Sequence, residues 1–203
     1  MRTPARTARS LRTAVASAAA SAAALGTVLA GATGAEARTD EAFFTAEKYA
    51  AVAFGTSKAN VWQQLGGPQS PKPGSSVGWC TDGGTYIQCF AKSDDYAPYG
   101  TFSFDKNGKL YSKHHEFLYE PKTPSITLAQ FNQVKLGMTE AQLWSYVSPD
   151  SCVQSEEEYP NWPATTGHEV GYFCRQEPYV GGSNARFMLT DGAITAKYQY
   201  YLT

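Results

Sequence analysis

Two stretches of this chain repeat one another, and the repetition limits the fold more than any other feature. FNQVKLGMTEAQLW at residues 131–144 aligns with YAAVAFGTSKANVW at residues 49–62, at a constant offset of 82 positions. In that alignment Gly55 meets Gly137, Val52 meets Val134, Ser57 meets Thr139, Ala59 meets Ala141, Trp62 meets Trp144 and Leu65 meets Val147. Repetition over tens of residues means that one supersecondary unit is used twice. Each copy reads as the end of a short helix, a glycine turn and a second, capped helix. Thr139 with Gln142 three residues on has the form of a capping box, in which the hydroxyl and the amide each satisfy a free backbone N–H. Leu143 and Val147 stand four apart, so one face of that helix is expected to be buried.

The first 37 residues are set apart from this pattern. Arg2, Arg6, Arg9 and Arg12 precede an alanine-rich run over residues 14–30, and Ala35-Glu36-Ala37 follows as a cleavage site. This is the layout of a secretory signal peptide, and cleavage after Ala37 is expected. The mature chain then carries 13 basic and 17 acidic residues, a net charge of −4. With no basic patch, nucleic acid is not an expected partner. No membrane association is expected once the signal is removed. Four cysteines in an exported chain read as two disulfides with three possible connectivities. The repeat favours pairing within each copy, Cys80–Cys89 and Cys152–Cys174, each closing a short loop worth about 2.5–3.5 kcal/mol. Their spacing matches no zinc pattern, so no metal is expected.

The expected organisation is a signal peptide at 1–37, a first module at 38–119, a linker at 120–124 and a second module at 125–203. Helices are expected at 45–49 and 57–65, ended by Gly66-Gly67-Pro68, because glycine and proline do not continue a helix. Strands follow at 77–80, 85–90, 99–104 and 109–117, with Asn107-Gly108 as the clearest hairpin turn. After the linker, helices are expected at 127–133 and 139–147, then strands at 152–157, 169–175, 185–190 and 193–202. The fold class is therefore α+β: two modules, each a helix-loop-helix on a four-stranded antiparallel sheet.

Aromatic residues make up 13% of the chain, and many fall in strands and loops. Alternation along a strand puts Tyr198 and Tyr200 on one face and Lys197 and Gln199 on the other. A sheet face rich in Tyr and Trp suits protein binding, although strands favour aromatics in any case. Signs of catalysis are few. No nucleophile elbow, P-loop, H-E-x-x-H or C-x-x-C pattern is present, so no enzyme and no cofactor are expected. His114 and His115 are adjacent, hence on opposite faces, and read as exposed sheet residues. Asp94-Asp95 reads as a solvated hairpin tip and Glu156-Glu157-Glu158 as a solvated face.

Taken together, FNQVKLGMTEAQLW, Cys152 followed by EEYPNWPATTG, and the closing LTDGAITAKYQYYL resemble the tandem-repeat β-lactamase inhibitory proteins secreted by actinobacteria. The resemblance spans essentially the whole mature chain. It implies two modules whose sheets form a concave surface that clamps a class A β-lactamase. It also implies a loop of the first module that enters the active site, with an aspartate standing in for the substrate carboxylate. Asp95, Tyr96 and Tyr99 match that aspartate and its two tyrosines, and Glu116 is kept. Other family anchors are replaced. The interfacial lysine falls on Phe117, a tryptophan on Ser155, and the His, Trp, Arg and Trp of the last two strands fall on Arg186, Met188, Tyr198 and Tyr200. The second inserting loop is shorter, and Tyr179 is its nearest aromatic. Tyr159 and Trp162 complete the expected partner-binding set. The implied protein is a secreted, monomeric inhibitor of class A β-lactamases. The alternative is the same scaffold turned to a penicillin-binding protein or another extracellular cell-wall partner.

Overall fold

The computed structural model describes residues 43–67, 78–92, 97–179 and 181–203. Helices α1 (Ala46–Ala51) and α2 (Lys58–Leu65) precede strands β1 (Trp79–Asp82), β2 (Tyr86–Phe90), β3 (Tyr99–Phe104) and β4 (Leu110–Glu116). Helices α3 (Leu128–Gln133) and α4 (Glu140–Tyr146) then precede β5 (Cys152–Glu158), β6 (Glu169–Arg175), β7 (Asn184–Thr190) and β8 (Ala193–Tyr200). The signal segment, Asp94, Asp95 and Tyr96 lie outside the described residues.

Each helix starts where a hydroxyl can take up free N–H groups. Thr45, Ser57, Thr127 and Thr139 are the N-caps, and both Thr127–Gln130 and Thr139–Gln142 form full capping boxes. Gly66 ends α2 in the left-handed conformation, at φ 94°. The helices cover one face of the sheet. Val61, Leu65, Ile87, Phe102 and Leu110 build one core with Phe44 and Tyr49, while Leu143, Val147, Phe187, Leu189 and Ile194 build another with Ile126 and Phe131. Disulfides Cys80–Cys89 and Cys152–Cys174 each tie directly opposed positions of neighbouring strands and lie within these two cores.

The expectation of two four-stranded sheets is corrected in one respect: all eight strands form a single antiparallel sheet in the order β1 to β8. The join is β4 against β5, through Ser112–Glu158, Lys113–Glu157 and His114–Glu156. The acidic run 156–158 thus belongs to the middle of a sheet, not to a free surface. Beyond His114 the two strands part. The His115 ring spans the gap, with Nε2 2.8 Å from the Gln154 carbonyl. His115 is only 1% exposed, against the expectation of a solvent-facing residue. It lies on the helix side, edge-on to Tyr49 at 5.2 Å and to Tyr119 at 4.9 Å between ring centroids.

Candidate binding face

Strand parity and register together decide which side chains leave the helices and share the other face. Across β1 to β4 the paired positions Trp79–Phe90–Tyr99–Glu116 form one rung on that open face. Across β5 to β8 the rungs Val153–Phe173–Arg186–Tyr198 and Gly171–Met188–Ala196 do the same. The first rung is an aromatic ladder. Trp79 stacks on Phe90 at 4.7 Å, Phe90 meets Tyr99 at 5.6 Å, and Tyr99 meets His114 at 6.1 Å. Such contacts add to the stabilisation from burial alone.

Where β4 and β5 part, the open face sinks into a concavity of about 480 Å³. Glu116, Phe117, Val153, Phe173, Arg175, Arg186, Met188, Tyr198 and Tyr200 line it. Two arginines organise its floor. Arg175, 4% exposed, reaches Glu120 and lies between the Phe117 and Phe173 rings, at 5.4 and 5.6 Å from their centroids. Arg186 reaches Glu116 at 3.0 Å and covers Phe173 at 5.4 Å. Tyr198 and Tyr200 stand at the rim, 54% and 55% exposed. Phe117 leaves β4 with φ 60°, a backbone conformation that bulky residues rarely adopt, and turns its ring toward Arg175. Gly171 makes room for Met188, since a Cβ there would lie 3.1 Å from the Met188 Sδ.

Electrostatics within the face are balanced. His114, 3.7 Å from Glu116, and Arg186 hold the Glu116 carboxyl at about 2 against the opposing effect of burial. Burial, followed by the neighbouring Glu116 charge, pushes the Tyr99 hydroxyl up to about 12. His115 behaves in the opposite sense to an exposed histidine. Burial holds its imidazole down at about 4, so it is neutral at physiological pH.

These shifts carry a prediction. The unfolded chain protonates His115 near its ordinary 6.5 while the fold resists until about 4, so stability is intact above 6.5 and is lost as pH falls between those values. The Glu116 contribution is present above its ordinary 4.5 and is lost as pH falls through about 2. Thermal melts across this range are expected to show a first decline between pH 6.5 and 4. His115→Gln, whose amide can still donate to Gln154, is expected to remove that first decline and leave the second. An unchanged profile in the variant would mean that His115 is not the titrating group.

Of the expected partner-binding residues, the open face brings together Tyr99, Glu116, Phe117, Arg186, Met188, Tyr198 and Tyr200. Tyr159 and Trp162 lie elsewhere. Tyr159 follows Glu158 onto the helix side, stacked on His168 at 4.1 Å and edge-on to Phe54 at 4.7 Å. The Trp162 indole covers Gly55, where any Cβ would overlap it. The placing of Tyr159 has a simple cause: one residue past the strand pairing, parity sends it to the helix side. Tyr179 is exposed in the β6–β7 loop, whose Gly181 reaches the concavity. Phe173 and Arg175 were missed. Both share the parity of Gly171, so the alternation of β6 held the signal. His168 pairs with Glu157 at 3.1 Å. Among the described residues no three His, Cys, Asp or Glu side chains are grouped to hold a metal ion.

The family model for β-lactamase inhibitors (BLIP) matches residues 45–174. The chain belongs to the BLIP family. That is a family of inhibitors and not of enzymes, and its members are typically secreted. Also similar is the crystal structure of a candidate β-lactamase inhibitor protein from Streptococcus mutans, at 11% identity, covering 78% of this chain and 90% of that one with a TM-score of 0.42. The two disulfides of this BLIP-family chain suit an oxidising compartment. Among its described residues no helix is long and apolar enough to cross a membrane.

Proposed function

We propose that this protein is a secreted, monomeric inhibitor that seats its open sheet face on a class A β-lactamase and blocks the active site with the loop bearing Asp95. The observation that carries the reading is the concavity itself. It gathers Glu116, Phe117, Arg186, Met188, Tyr198 and Tyr200 on one face, as family membership leads one to expect of a clamp. Large amphipathic side chains around a depression are the usual source of interface energy. Asp95 supplies the complementary element. A β-lactamase cleft is built to hold an anionic drug, and a carboxylate entering it exchanges water for the donors already there. Unless paired in this way, burying that charge would cost several kcal/mol.

The two-module origin belongs to the same proposal. It is supported by the equivalent N-caps Ser57 and Thr139 and by the bridges Ser57–Lys109 and Thr139–Ala193, which place the helix hairpins alike. Inhibition of chromogenic cephalosporin hydrolysis across a panel of class A enzymes is the direct test. Asp95→Ala and Tyr198→Ala are each expected to weaken inhibition by about 2 kcal/mol, roughly thirtyfold. No inhibition by micromolar protein anywhere in the panel sinks the reading. A second reading is favoured by one set of observations: Phe117, Ser155 and Met188 stand where family anchors are larger or charged. In that reading the same face clasps a penicillin-binding protein, and capture from cell-envelope extracts separates the two.

A further inference from the structure

We propose that the outer edge of β8, from Ala196 to Tyr200, accepts an antiparallel extended segment of another protein that places a carboxylate opposite Lys197. The chain contains its own template for this contact. β4 and β8 are held by the same devices. The α1–α2 loop binds the edge of β4 through Gly55 N–H to Leu110 O at 2.8 Å and Leu110 N–H to Thr56 O at 2.9 Å. The α3–α4 loop binds β8 through Gly137 N–H to Ile194 O at 2.7 Å and Ile194 N–H to Met138 O at 2.8 Å. Each strand then passes a bulge, opposite Ser103/Phe104 for β4 and opposite Met188/Leu189 for β8. Each next turns a lysine toward the helices. Lys113 Nζ donates to Val52 O at 3.0 Å over the Tyr49 ring, and Lys197 Nζ donates to Val134 O at 2.7 Å over the Phe131 ring.

Past this point the two edges differ. On β4 the edge is taken by β5, antiparallel, with Glu157 directly across from Lys113. On β8, among the described residues, no second strand follows, and no backbone hydrogen bond joins residues 196–200 to anything beyond β7. Neither lysine is in an ion pair among them, but the Glu157 charge across the strand favours the protonated form of Lys113, and Lys197 has no such carboxylate near it. An open strand edge is a template for pairing with another chain, and opposite charges across a pair favour it. The partner must supply the acid. A second copy joined edge to edge would not, because AITAKYQY has no carboxylate and two Lys197 side chains would approach each other.

The probe is the strand that β4 already accepts, a synthetic peptide of residues 153–160, VQSEEEYP. Titrated into the isotope-labelled mature chain, it is expected to shift and protect amides at residues 195–201. The same peptide with Glu157→Lys is expected to bind about fivefold more weakly or worse. No shifts at these amides at millimolar peptide, shifts confined to residues 115–117, or equal binding of the two peptides would each overturn the proposal. Concentration-dependent dimerisation through residues 196–200 without peptide would overturn it in favour of a second copy. The inhibition panel is run without peptide, so failure of one reading leaves the other standing.

Discussion

Phe187→Ala is expected to destabilise the protein by about 3–5 kcal/mol in urea unfolding. Phe187 is fully buried, packs against Phe131 at 5.7 Å between centroids, and stands across from Lys197 in the β7–β8 pair. Nothing around it can slide in to fill the space, because its neighbours are fixed on two strands and a capped helix. Phe102 occupies the corresponding place in the other core, opposite Lys113. Phe102→Ala is therefore expected to cost a similar amount. The two residues belong to separate clusters, so the double variant is expected to lose the sum to within about 0.5 kcal/mol. A loss below about 1.5 kcal/mol for either single change would show that its core is loosely packed.

Removing a disulfide is the second large effect, and the two bridges are not equal. Cys152 and Cys174 are separated by 22 positions, Cys80 and Cys89 by 9. Loop-closure entropy assigns about 3.4 kcal/mol to the longer loop and about 2.6 kcal/mol to the shorter. All four cysteines are buried to a similar degree, so packing losses on replacement by alanine nearly cancel in the comparison. The pair Cys152→Ala, Cys174→Ala is thus expected to be the less stable of the two double variants in denaturant melts. Equal stability, or the reverse order, would show that native-state packing and not the unfolded chain decides their worth.

Local chemistry explains why much of this fold was legible in the sequence. Thr139 with Gln142, the spacing of Leu143 and Val147, and Asn107-Gly108 act over a few residues, and they placed helices and hairpins to within a residue or two. That Tyr198 and Tyr200 share a face followed from parity alone. The β4–β5 join did not, because it links segments on either side of the linker and rests on three residue pairs with no turn to announce it. That one unseen contact accounts for several differences. It draws Glu157 into the sheet, buries His115 across the gap, and sends Tyr159 to the helix side. Arg175 was missed for a related reason. A charged residue at the end of a strand looks solvent-facing until Phe117, Phe173 and Glu120 are seen to enclose it. The family resemblance supplied residues that periodicity could not, and strand parity then sorted them by side.

Three rungs at the centre, against six and seven in the ladders of the second half, make the spine of this sheet the line with the fewest backbone pairings. The sheet's two halves, each stiffened by helices and a covalent stitch, also meet there through side chains: His115 on Gln154, Arg186 on Glu116, and Trp162 over Gly55. If the proposed clamp holds, the breadth of its grip is set at that seam by side chains that substitution can change without touching either core.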